Sequence, residues 1–469
     1  MSRSMRPQAK SRLLSQSTFS NRILLFTVIA MLALGGVGIA SSSAVRQTLS
    51  VLAGNSEPAA STIKTAGAIT VHAAGRGKPF LNLRDGRGMS VNYGGDKQAA
   101  VALQSGAAQA RSLASADFDR NGTTDLVAGY AFNGAGMISL QRGNPDAFAP
   151  ADDSVFTRIQ QGHDPPSLLA DADAYAVPVS PDFLFTGNFN HDSEKDVLFA
   201  AKGGALYLMT GNGAGRLDAP QQIDLPGPVT ALAAGEFRAA DGFTDIAVGV
   251  SGPGGESLLI FDAKEGFSNA LAQYELSEPA NGIEFGGLDN DPFMDIAVAS
   301  GSGIVIVHGW GRKEQVAVLG REERINVGAS VSGLALGEFA WDREGRSEIA
   351  TLTGEGVIQI VQHSKLDTRP FSAGEAAQRN RGNLKNQPGS ILQDIESVSS
   401  WRPGRASGWA KADKFAASSI KGVSSATAKP LMRTNLASRE TDDLMLMASS
   451  QNNLELVLTA RDCSPACSE

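Results

Sequence analysis

Asp117, Asp119, Asn121 and Asp125 sit at positions 1, 3, 5 and 9 of the segment DFDRNGTTD, with Gly122 at position 6 and the carbonyl of Thr123 at position 7. All are hard oxygen donors on alternate residues of a sharp turn. Ca²⁺ takes six to eight oxygens in a flexible geometry, and this spacing lets one short loop surround such an ion. The opening matches an EF-hand loop, but position 12 is Ala128 where a bidentate Glu is needed, and a strand follows in place of a helix. Calcium of modest, extracellular-type affinity, about 10⁻⁴ to 10⁻³ M, is the expected ligand.

Weaker copies of the turn follow. The second supplies Asn188, Asn190, Asp192, the carbonyl of Glu194, and Asp196, with Ser193 where glycine is preferred. The fourth keeps Asp289, Asp291 and Asp295 but has Gly287 at position 1 and Pro292 at position 6, where a fixed negative φ opposes the turn. A third copy carries an extra residue and Arg238 in a ligand position, and the fifth and sixth lack the acidic ladder. Those three are expected to be turns without metal. The competing explanation for all six is that Asp, Asn and Gly make turns and the acid caps the following strand; repetition in register favours metal in the first. Asn121 also begins an N-x-T sequon, a role that metal ligation excludes.

These turns belong to a repeat. Each is followed by an acid, an apolar strand, a glycine-containing turn and a second apolar strand, as in DFDRNGTTDLVAGY then GMISLQ, or GLDNDPFMDIAVAS then GIVIVHG. The acids are Asp125, Asp196, Asp245, Asp295, Glu348 and Asp443, at separations of 71, 49, 50, 53 and 95. A period near 50, with further strand candidates at 228–235 and 331–339, fits four-stranded blades of a β-propeller. Separate sandwiches need about 100 residues each. The fold class expected is therefore all-β, a propeller with six visible repeats and a count of seven if a degenerate blade surrounds Asp394.

The irregular spacings divide the chain. Blades occupy 68–363, with residues 145–182 as an elaborated loop between blades; 364–429 is either the degenerate blade or a long loop; 430–460 is the last visible repeat; 461–469 is a tail with Cys463 and Cys467. AITVH, FLNL and MSVNY, between 68 and 93, are candidates to complete the last blade. Ahead of them, residues 1–44 hold Arg3, Arg6, Lys10, Arg12 and Arg22, no acid, and an apolar run at 23–40. This reads as an export signal cleaved after Ala40 or Ala44, or as an uncleaved membrane anchor, with a tether at 45–67. Either way the rest is expected outside the cytoplasm: secreted, periplasmic or at the cell surface.

Composition narrows function. The chain has 469 residues, 41 basic against 49 acidic, and loses only positive charge with its N-terminal segment. So acidic a surface disfavours nucleic acid. GxSxG, HExxH, CxxC and P-loop patterns are missing from the sequence, and the five histidines, His72, His163, His191, His308 and His363, are scattered and read as strand or loop residues. WRPGRASGW at 401–409 reads as loop packing or as a stacking site for a sugar.

The turn pattern D-x-[DN]-x-[DN]-G-x-x-D, followed by strands such as LVAGY and LYLMTGNGAG, resembles the FG-GAP (VCBS-type) repeats of integrin-α-like propellers over residues 110–363 and 430–460. Only the first turn matches in full. The resemblance implies an exported seven-bladed propeller, a calcium-stabilised, non-catalytic module for adhesion or for binding an extracellular protein or carbohydrate. It leaves two alternatives, a polysaccharide lyase or hydrolase on the same scaffold and a scaffold module of a longer secreted protein.

Overall fold

The computed structural model describes residues 89–364, 409–416, 430–434, 441–448 and 453–457, except 238–240, 290–292, 312–316 and 341–345, together with 71–74 and part of 367–375. The signal or anchor, the tether, Asp394, Trp401 and the cysteine tail lie outside the described residues.

After strand β1 (Val71–Ala74), β2 (Asn92–Gly95), helix α1 (Lys97–Gln104), β3 (Gln109–Ala116), β4 (Asp125–Phe132), β5 (Ala135–Gly143), helix α2 (Asp153–Gln160) and β6 (Leu168–Val177) build the first blade, in sheet order β2-β6-β5-β4-β3. The second holds β7 (Phe183–Gly187), β8 (Asp196–Ala200), β9 (Leu206–Met209) and β10 (Gln221–Ile223); the third β11 (Val229–Gly235), β12 (Asp245–Gly252), β13 (Gly255–Phe261) and β14 (Ala272–Leu276). The fourth holds β15 (Ala280–Gly286), β16 (Asp295–Ser300), β17 (Gly303–Gly311) and β18 (Ala317–Asn326), and the fifth β19 (Val331–Gly337), β20 (Glu348–Thr353), β21 (Val357–His363) and β22 (Trp409–Ala416). The last contains β23 (Leu431–Thr434), β24 (Asp443–Ala448) and β25 (Asn453–Val457), with β1 pairing parallel to β25.

Why such short sheets are stable is visible in β8. Val197 and Phe199 join a core with Ile138 and Leu140 of the first blade, while Leu198 and Ala200 join one with Ile246 and Val248 of the third. Both faces are buried, so the strand reads as an unbroken apolar run. Inner strands follow one another around the fold, β3 against β7, then β11, β15, β19 and β23. This radial succession of meander sheets is a β-propeller. The first hairpin is closed by Asn133 and Gly134 at φ 50° and 80°, the primed turn that Asn-Gly favours.

Three expectations change. Residues 145–182, read as a loop between blades, instead supply α2 and β6, a strand of the first blade. The stretch 364–429 contributes β22 to the fifth sheet, and β19 packs on β23 of the last sheet, while the blade expected around Asp394 falls outside the described residues. The described residues hold six sheets. Of the N-terminal candidates, β1 overlaps AITVH and completes the last sheet as anticipated, whereas MSVNY runs into β2, a fifth strand of the first sheet.

Candidate metal centre

The acid that begins the second strand of each blade is buried, and in the first five blades it accepts backbone amides. Asp125, fully buried, accepts the amide of Phe118 at 2.8 Å and that of Gly143 at 2.7 Å. Asp196 does the same with Phe189 and Gly211 at 2.9 and 3.0 Å, and Asp295 with Leu288 and Gly309 at 2.8 and 3.0 Å. Asp245 accepts from Ala263, and Glu348 from Ala340. In the first, second and fourth blades one carboxylate thus ties the turn before its strand to the end of the strand after it. That explains why the acid persists in turns that lack the rest of the ladder. The adjoining residue stitches blades together: the amides of Thr244, Ser347 and Asp442 donate to the carbonyls of Asn188, Gly287 and Glu338 in the preceding blade.

In the first turn the carboxylates of Asp117, Asp119 and Asp125 each bring an oxygen within 4.8 Å of the others. Oxygens sharing one Ca²⁺ at about 2.4 Å can lie no more than about 4.8 Å apart, so the three fit a single ion. The turn is shaped by its own hydrogen bonds. The amides of Asn121 and Gly122 donate to Asp117 at 3.2 and 2.9 Å, Asn121 also donates to Asp119 at 3.2 Å, and Gly122 takes φ 84°. Asn121, expected to face the ion, turns its side-chain oxygen onto the amide and hydroxyl of Thr123. Burial pushes the Asp125 carboxyl up, the Gly143 and Phe118 amides pull it down, and the charges of Asp119 and Asp117 push it up again. A divalent cation among the three would offset both upward pressures.

The second turn is less open. Asn190 donates its amide to Asp192 at 2.9 Å and to Asp196 at 3.4 Å, which sets a neutral donor where an ion would sit. Ser193 holds φ 65°, the conformation for which glycine was preferred. Asn188 donates to the carbonyl of Gly242, and its buried side-chain oxygen has no hydrogen-bond partner, an orphaned acceptor that suits a cation. Glu194 reaches the first turn to pair with Arg120. Asp196 is pushed up to about 6, mainly by burial.

The fourth turn brings together Asp289, Asp295 and a residue that sequence reasoning assigned no role, His308. Its Nδ1 stands 3.5 Å from Asp289 and 3.4 Å from Asp295, and its Nε2 stands 3.3 Å from Glu323. Burial lowers the imidazole, but the three carboxylates outweigh it and push His308 up to about 10. Asp291 and Pro292 lie outside the described residues, as does Arg238 of the third turn, where Lys264 approaches Asp241 at 3.7 Å.

No protein-family profile matches the chain, and no curated protein sequence is significantly similar. Several solved structures are similar to the chain at low identity and low TM-score. BBS1N, in a complex with ARL6DN, is 10% identical with a TM-score of 0.39 over 72% of this chain and 76% of that one. Sqt1 from Chaetomium thermophilum is 13% identical with a TM-score of 0.32, covering 54% and 58%. The Dos1 propeller is 8% identical with a TM-score of 0.30, covering 54% and 67%. The chain is an all-β propeller, with six sheets among the described residues and a buried acid at the entry of each sheet's second strand.

Proposed function

We propose that this chain is an exported, non-catalytic propeller of the FG-GAP type that holds Ca²⁺ in its first turn and binds an extracellular protein or carbohydrate. The observation that carries the metal half is the convergence of Asp117, Asp119 and Asp125 on one point. The orphaned oxygen of Asn188 supports a second, weaker site with Asp192 and Asp196. Calcium in this reading is structural. It neutralises the turn and holds the end of β3 to the start of β4, so that the loops at this end of the blades present a fixed surface. Asp117 and Asp119 supply carboxylate oxygens, Asp125 supplies one while keeping its grip on two backbone amides, and no reaction is assigned to any of them.

Thermal unfolding of the full-length protein in 1 mM Ca²⁺ and in EDTA tests the reading. With a Kd of about 0.1 mM, mass action stabilises by about 1.4 kcal/mol per site. The first turn's share of the shift should be lost in Asp119→Ala. An unchanged melting temperature in the wild type would refute calcium binding, and calcium-independent capture on glycan and extracellular-protein arrays would refute a calcium-shaped binding surface.

A further inference from the structure

The fourth blade carries an imidazole at the position, one residue before the amide that clamps the buried acid, where the preceding blades have Arg142, Thr210 and Asp262. We propose that Asp289, Asp295 and His308 form a binding site for a first-row divalent metal of the Zn²⁺ kind, distinct in chemistry from the calcium turn of the first blade.

Geometry carries the assignment. With metal–nitrogen and metal–oxygen bonds of about 2.1 Å, a tetrahedral angle places two ligand atoms about 3.4 Å apart. His308 Nδ1 lies 3.5 Å from Asp289 Oδ2 and 3.4 Å from Asp295 Oδ1. That separation is long for a hydrogen bond, and Nδ1, buried from solvent, makes none. The nitrogen stands nearly equidistant from the two carboxylates.

The surroundings are those of a metal-ligating histidine. Such a residue commonly donates its other ring N–H to a carboxylate, which fixes the tautomer and leaves the first nitrogen free to ligate. Glu323, on β18, stands 3.3 Å from Nε2 and fills that role. Asp295 is itself held by the amides of Leu288 and Gly309, so its ligating oxygen is fixed in place. An imidazole among the donors selects against Ca²⁺, which prefers oxygen alone, and toward zinc-type ions. Such an ion would join the turn, β16 and β17 directly and β18 through Glu323, fastening three strands of one blade at a single point. Three protein ligands leave the fourth position for water.

The site is independent of the calcium reading and is tested apart from it. Co²⁺ is titrated into chelator-stripped full-length protein and followed by its visible absorption, which is intense only in four-coordinate sites. One equivalent should saturate the signal, Zn²⁺ should displace it, and 1 mM Ca²⁺ should not. His308→Gln should abolish it and Asp119→Ala should leave it intact. Glu323→Gln should weaken binding about 10- to 100-fold. If the substitution at His308 prevents folding, the wild-type titration and Glu323→Gln still decide. No absorption in excess Co²⁺, or equal absorption in His308→Gln, would overturn the site and leave His308 as a protonated counter-ion to its carboxylates.

Discussion

Asp125 has two roles in this account, backbone clamp and metal ligand, whereas Asp119 has only the second, and substituting each in EDTA separates them. Asp125→Ala strips the acceptor from the amides of Phe118 and Gly143, both buried at 2.8 and 2.7 Å contacts. Each orphaned buried donor costs about 1–3 kcal/mol. Relief of the carboxylate's own burial, visible in its raised pKa, returns part of this, for a net loss of about 2–4 kcal/mol. Unfolding entropy of about 2.1 cal/mol/K per residue over roughly 400 residues makes 1 kcal/mol worth a little over 1 °C, so the melting temperature should fall by about 2–5 °C. Asp119 accepts one amide at 3.2 Å on an exposed turn, and Asp119→Ala in EDTA should shift the melt by less than about 1 °C. Differential scanning calorimetry reads both. Equal falls for the two variants, or none for Asp125→Ala, would refute the clamp.

Asp196 is pushed up to about 6 from its ordinary 3.8, so between those values the folded protein binds more protons than the unfolded chain. In EDTA, stability should therefore decline as pH rises across that window, and urea midpoints of Asp196→Asn should show a flatter profile. Leu232 is buried against the preceding blade, so Leu232→Ala should cost about 2–5 kcal/mol. Leu113, at the corresponding position of β3, is 69% exposed, and Leu113→Ala should cost less than about 0.5 kcal/mol by the same denaturation assay.

Much of the fold was legible because stacking buries both faces of a blade, which forces runs such as DVLFA and DIAVAS to recur at the blade period. The first blade's extra strand was hidden. LLADADAYAV in β6 alternates alanine with aspartate and leaves several side chains exposed, so it lacks the apolar signature of an inner strand. The fifth blade's outer strand, WAKADKFA, interleaves lysine and aspartate with alanine in sequence and so shows no apolar run, and the 95-residue interval spans nearly two blade periods. The buried acids were visible as a pattern, but their clamping was not. Asp125 meets an amide 18 residues away, and a backbone N–H leaves no mark in sequence. His308 was missed because it lies 13 residues beyond Asp295 on another strand, and only antiparallel pairing of β16 with β17 brings the two together.

The central claim is that Asp117, Asp119 and Asp125 share one Ca²⁺. Calorimetric titration of chelator-stripped full-length protein with CaCl₂ measures this directly. The account predicts saturable binding with a Kd of about 10⁻⁴ to 10⁻³ M, lost at the first site in Asp117→Ala and Asp119→Ala while both variants still fold. Absence of heat above dilution at millimolar Ca²⁺, or binding unchanged by either substitution, would contradict it and leave the acids as turn-formers and clamps alone.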